Sequence, residues 1–93
     1  MTESDRDSLV TELHAHLAAT AELPIDRDAN RWIGEAEAVA ADLAANDLSP
    51  ATVEKRVGHV RDLLEEVDET DDPEADKRVA SARETAARIL EDR

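Results

Sequence analysis

Asp26, Asp28, Asn30, Ile33 and Glu37 occupy positions 1, 3, 5, 8 and 12 of one twelve-residue window. Three side-chain oxygens followed by a bidentate glutamate are donors that a calcium ion can draw from a single loop, with the apolar residue pairing against a partner loop. Position 6, where such a loop turns sharply and takes glycine, is Arg31, and no second window repeats the spacing. The same residues have a plainer use. Asp26 or Asp28 caps a helix, and Trp32 joins that helix's core stripe. A second group, Thr52, Lys55, Arg56, His59 and Arg61, contains the densest basic cluster of the chain. Binding to a phosphate backbone needs a basic face of this kind. Glu54, Asp62, Glu65 and Glu66 flank it, so the alternative is the salt-bridged outer face of a bundle helix.

Other chemistries lack their residues. His14 and His16 are two apart on one helix and diverge by about 200°, so they do not chelate one ion. No glutamate lies three residues before a histidine, and no H-E-x-x-H, G-x-S-x-G or phosphate-binding glycine loop occurs. Without cysteine there is no disulfide, thiolate metal site or thiol nucleophile. Carboxylate pairs abound, but in so acidic a chain they are expected to be solvated surface. A catalytic activity, a catalytic residue and a cofactor are therefore not expected.

Two resemblances follow from these residues. The 26–37 window resembles an EF-hand calcium loop, which implies a degenerate calcium site at Asp26, Asp28, Asn30 and Glu37. The run Leu48-Ser49-Pro50-Ala51-Thr52-Val53-Glu54-Lys55-Arg56-Val57 resembles the start of the recognition helix in LuxR-type helix-turn-helix proteins. It is also similar to a Leu-Ser-Pro-x-Thr segment in the helical domain of tyrosine recombinases, where an arginine follows near the place of Arg61. Both imply nucleic-acid contact through helix 50–67.

The elements that must position these residues all read as helix. Glycine and proline total five, and no stretch alternates apolar and polar β-branched residues. The expected helices span about 5–22, 27–46, 50–67 and 73–92, as one domain over 1–93. Ser4 is a candidate N-cap for the first, with Leu9, Val10, Leu13 and Leu17 as its stripe and Pro24 as its stop. Trp32, Ala36, Val39 and Leu43 form the second stripe with Ile33 and Ala40 beside them, and Asn46 is a candidate left-handed terminus. Ser49 and Pro50 start the third by cap and N1 preference, with Leu48 and Val53 as a hydrophobic staple. Its stripe is Val53, Val57, Val60, Leu64 and Val67. The run Asp68–Asp72 reads as a charged loop. Asp72 and Pro73 then start the fourth helix, with stripe Ala75, Val79, Ala82, Ala86 and Ile89. Gly58, in mid-helix, predicts a close helix–helix approach or else a flexible point. Arg61–Glu65, Glu74–Arg78 and Glu84–Arg88 have the spacing of helical ion pairs.

Near-equal helices joined by short loops favour an all-α, four-helix antiparallel up-down bundle with crossing angles of about 20°. Its core is thin: apart from Met1 there are twenty bulky apolar residues, and the fourth stripe is mostly alanine. Further burial by self-association is therefore expected, with the alanine stripe as its natural place.

Charge completes the picture. Twenty-four acids against eleven bases give −13 in 93 residues, with 17 Ala, seven Val to three Ile, two Lys to nine Arg, and Trp32 as the one aromatic. This composition resembles that of the cytoplasmic proteins of haloarchaea, which live in molar potassium. The regular apolar spacing argues against a disordered acidic tail. A polar, acidic N-terminus and the absence of a membrane-length apolar run predict a soluble, cytoplasmic protein without membrane contact. Its expected function is non-enzymatic, a protein-interaction or scaffold module that is possible as a homodimer. Nucleic-acid binding ranks second because the net charge opposes it, and calcium binding third.

Self-repulsion among these charges works against the compact state, and about 1 M salt shortens the Debye length to about 3 Å. The thermal midpoint should therefore rise between about 0.1 and 2 M KCl. Each ~1 kcal/mol of relieved repulsion should add about 4–8 °C. A midpoint that stays flat or falls in a calorimetric series contradicts the expectation.

Overall fold

A computed structural model describes residues 3–67 and 70–91, with side chains from residue 6 onward. It contains four α-helices: α1 Glu3–Ala18, α2 Arg27–Ala45, α3 Pro50–Glu65 and α4 Pro73–Glu91. A single 3₁₀ turn, Ala19–Glu22, extends α1. Each helix packs against two others, in the closed ring α1–α2–α3–α4–α1. This is the four-helix up-down bundle expected from the stripes, 36 × 20 × 18 Å in extent.

The stripes close on a common seam. Leu13, Leu17, Ile33, Val57, Val60 and Leu64 are its largest fully buried apolar side chains. On α2 the seam runs through Ala29, Ile33, Ala36, Ala40 and Leu43, while Trp32 and Val39 lie half-buried against its edge. The expected stripe is thus turned by one residue. Small side chains at Ala36 and Ala40 bring α2 close to its neighbours and leave no width there for an indole.

Local chemistry sets most boundaries. Asp26 caps α2, its carboxylate accepting from Ala29 N–H at 3.3 Å. Ser49 Oγ accepts from Thr52 N–H at 3.3 Å and donates to Thr52 Oγ1 at 2.9 Å, with Pro50 opening α3. Leu48 and Val53 both reach the core from this start. Asp72 Oδ1 accepts from Glu74 N–H at 3.3 Å ahead of α4.

Several ends differ from expectation. Ser4 lies inside α1 rather than capping it. The α-ladder of the first helix stops at Ala18, where the Thr20 hydroxyl donates to the Leu17 carbonyl at 2.6 Å and draws the chain into the tighter turn. Leu23, ahead of Pro24, is extended as proline requires. Asn46 is extended instead of left-handed (φ −122°, ψ 148°), because its side-chain amide holds the Asp42 carbonyl and carboxylate at 2.8 and 2.9 Å. Helix α3 ends at Glu65, before the expected 67, where the Arg83 guanidinium donates to the Leu64 and Val67 carbonyls. Residues 68, 69 and 92 of the expected loop and fourth helix lie outside the described residues.

The charged loop conceals a buried polar knot. Thr70 is 0 % exposed. Its N–H donates to Asp76 Oδ1 at 3.0 Å, and its hydroxyl lies 2.8 Å from both that oxygen and the Asp72 carbonyl. Its carbonyl accepts from Asp26 N–H at 2.8 Å, tying the start of α2 to the start of α4. Asp71, at φ 67°, supplies the left-handed turn that short acidic side chains tolerate. Replacing Asp76 with alanine leaves the buried Thr70 N–H without an acceptor and should cost about 1–3 kcal/mol in a denaturant titration. An unchanged midpoint contradicts the role given to the knot.

Candidate interaction surface

The calcium window does not form a loop. Asp26 stands before α2 as its cap, and α2 runs unbroken from Arg27 to Ala45. At about 100° per residue, Asp28 projects opposite Asn30 and Glu37, and those two are about 10 Å apart along the axis. Such oxygens cannot converge on one ion at about 2.3–2.6 Å. Among the described residues no three His, Asp or Glu side chains are grouped to hold a metal. Arg31 lies over the Trp32 ring, 5.2 Å from its centroid. The histidines are dispersed, with His16 Nε2 3.6 Å from Glu12 and His59 on α3.

The second group does come together. Thr52, Lys55, Arg56, His59 and Arg61 all line an open cleft of about 790 Å³ over the outer face of α3, with Val39 of α2 and Leu90 of α4 at its sides. Its charge is mixed. Arg56 pairs with Asp42 of α2 at 3.3 Å, Arg61 pairs with Asp62 at 3.4 Å, and Glu54 also lines the cleft. Lys55 has no ion-pair partner among the described residues. The arginines are thus engaged by carboxylates, and no continuous basic strip results. Helices α2 and α3 are antiparallel bundle neighbours, whereas a helix-turn-helix sets its helices at about 90–120°. Of the expected helical pairs, Glu74–Arg78 forms at 3.3 Å, Arg61 turns to Asp62 instead of Glu65, and no Glu84–Arg88 pair is present among the described residues.

Gly58 lies in this cleft, and its surroundings overturn the expected close approach within the bundle: a Cβ placed there meets nothing within 4 Å. Neither is it a break, since α3 continues across it. The expected association face on the fourth helix is likewise used up internally, because Ala75, Ala82 and Ala86 are 0 % exposed. Val39 and Leu90 were not among the expected site residues. The signal for the cleft was nonetheless present in the chain: Ala51, Lys55, Gly58 and Asp62 repeat the 4-3-4 spacing of the α3 core stripe on the opposite side of the helix.

The family described as a domain of unknown function, DUF8152, matches residues 9–93. The chain belongs to this family. The match covers the cleft and nearly all of the bundle, so the α3 face is part of the DUF8152 domain itself. No curated protein and no solved structure matches the chain. No helix of the described residues is long and apolar enough to cross a membrane.

Because Gly58 has open space where a side chain would stand, Gly58→Ala should stabilise the isolated DUF8152 domain by up to about 1 kcal/mol through helix propensity alone. Loss of stability in thermal or denaturant unfolding contradicts the geometry at this position.

Proposed function

We propose that this DUF8152 protein is a non-enzymatic interaction or scaffold module of a high-salt cytoplasm, and that the outer face of α3 is its docking surface. The observation that carries this is the cleft over Gly58. A mid-helix glycine costs up to about 1 kcal/mol relative to alanine, and nothing among the described residues stands within 4 Å of a Cβ placed at Gly58; Gly34 of α2 is equally open but does not line the cleft. Half-buried Val39 and Leu90 border that space, and Lys55 stands over it without an ion-pair partner among the described residues. Seven of the eleven lining residues are polar or charged, with Val39 and Leu90 at the sides, so a partner's helix would match charge here as well as cover apolar surface. Nucleic acid is the less favoured occupant, since Arg56 and Arg61 already face carboxylates.

The test is sedimentation velocity on the full chain, purified in about 2 M KCl so that distant charges are screened. The proposal expects a species heavier than the chain that disappears in Gly58→Gln while the helical circular-dichroism signal persists. A strict monomer without any bound protein, or a heavier species untouched by that substitution, contradicts it.

A further inference from the structure

We infer that the occupant of the α3 cleft is a second copy of the same chain, packed antiparallel across Gly58; this rests on the docking surface proposed above. At about 100° per residue, Val57 and Val60 face the bundle, and Ala51, Lys55, Gly58 and Asp62 fall within about 60° of one another on the opposite side. Ala51, Lys55 and Asp62 are exposed. The stripe is self-complementary in one arrangement. A two-fold axis between Gly58 and His59 sets Lys55 opposite Asp62 of the second copy, and Asp62 opposite the second copy's Lys55. Such reciprocity is the mark of an isologous interface.

The competing registers lose this match. A parallel pairing sets Lys55 against Lys55 and Asp62 against Asp62. An antiparallel pairing centred on Gly58 itself sets Lys55 against Arg61 and Glu54 against Asp62. The axis between residues 58 and 59 does set Arg56 level with Arg61, but these lie about 90–130° from the stripe on opposite flanks of α3, so among the stripe's own residues it is the antiparallel register that pairs opposite charges. At that axis Gly58 removes the side chain that would hold the two helices apart, which lets the flanking Val39 and Leu90 come under cover. The pair supplies register more than affinity, because exposed ion pairs contribute little and less in salt. Salt should nevertheless favour the dimer as a whole, since two chains of −13 repel at long range and molar salt screens that repulsion while leaving contacts intact.

Sedimentation equilibrium of the full chain in about 2 M KCl should give a reversible species of twice the chain mass. Gly58→Gln should weaken it at least about tenfold, a change of about 1.4 kcal/mol, while the monomer remains helical. Disulfide trapping reads the register, and the chain offers no cysteine of its own to confuse it. Mixed Lys55→Cys and Asp62→Cys chains should cross-link on oxidation. Lys55→Cys alone should not, because its two copies would stand about 10 Å apart along the axis, beyond the ~7 Å reach of a disulfide. A chain that stays monomeric overturns the inference, as does Gly58→Gln with unchanged association, or Lys55→Cys alone cross-linking as readily as the mixture. A heavier species that contains a different protein or nucleic acid and disappears in Gly58→Gln also overturns it, while leaving α3 as the docking surface.

Discussion

The bundle depends on four narrow apolar stripes closing on one another. Among the described residues each helix offers only four or five buried apolar positions, many of them alanine or valine, and every other side is dense with carboxylates. Shifting the buried set of α2, α3 or α4 by one position in either direction would take an acid into the seam (Glu37 or Asp28, Glu54 or Asp62, Asp76 or Glu74), and an unpaired buried charge costs several kcal/mol. The permitted rotation of these helices is therefore small. The same constraint decides what faces outward. Once Val53, Val57, Val60 and Leu64 of α3 are committed to the seam, the stripe containing Lys55 and Gly58 must face solvent.

Polar groups finish what the stripes begin. Thr70 joins the starts of α2 and α4 through one backbone bond and one shared carboxylate. Arg83 reaches from α4 to the last carbonyls of α3. These contacts lie at helix ends, where backbone groups have no intrahelical partner. The ion pairs farther along the surface, such as Arg56–Asp42 and Arg78–Glu74, are half-exposed and add about 1 kcal/mol or less each. Acid is abundant in this chain, yet the carboxylates that set helix ends are few: Asp26, Asp42, Asp72 and Asp76.

Legibility from sequence follows the range of the determining contact. Ser49-Pro50 and Asp72-Pro73 announce their helices because capping uses residues two or three positions apart, and those boundaries match. Asn46 misleads because a side-chain bond to Asp42 competes with the left-handed turn. Thr70 could not be read as buried, since its partners are Asp76 and the distant Asp26. Trp32 was drawn toward the centre by its hydrophobicity and is kept at the edge by the width between helices, which no single stripe encodes. For the cleft, the basic residues were legible and their neutralisation only partly so: Asp62 is adjacent in sequence to Arg61, but Asp42 comes to Arg56 across two helices. Gly58 was visible as an oddity, and only the packing shows that its open side faces outward.

Docking of a second copy on this open side can be read against a control within the same molecule. The chain carries two lysines: Lys55 on the outer stripe of α3, and Lys77 exposed on α4. Trace acetylation followed by mass spectrometry, over a range of protein concentrations in molar KCl, compares them within one molecule. If a second copy covers α3, Lys55 becomes less reactive as concentration rises while Lys77 does not. Equal protection of both, or constant reactivity at Lys55, would contradict that docking.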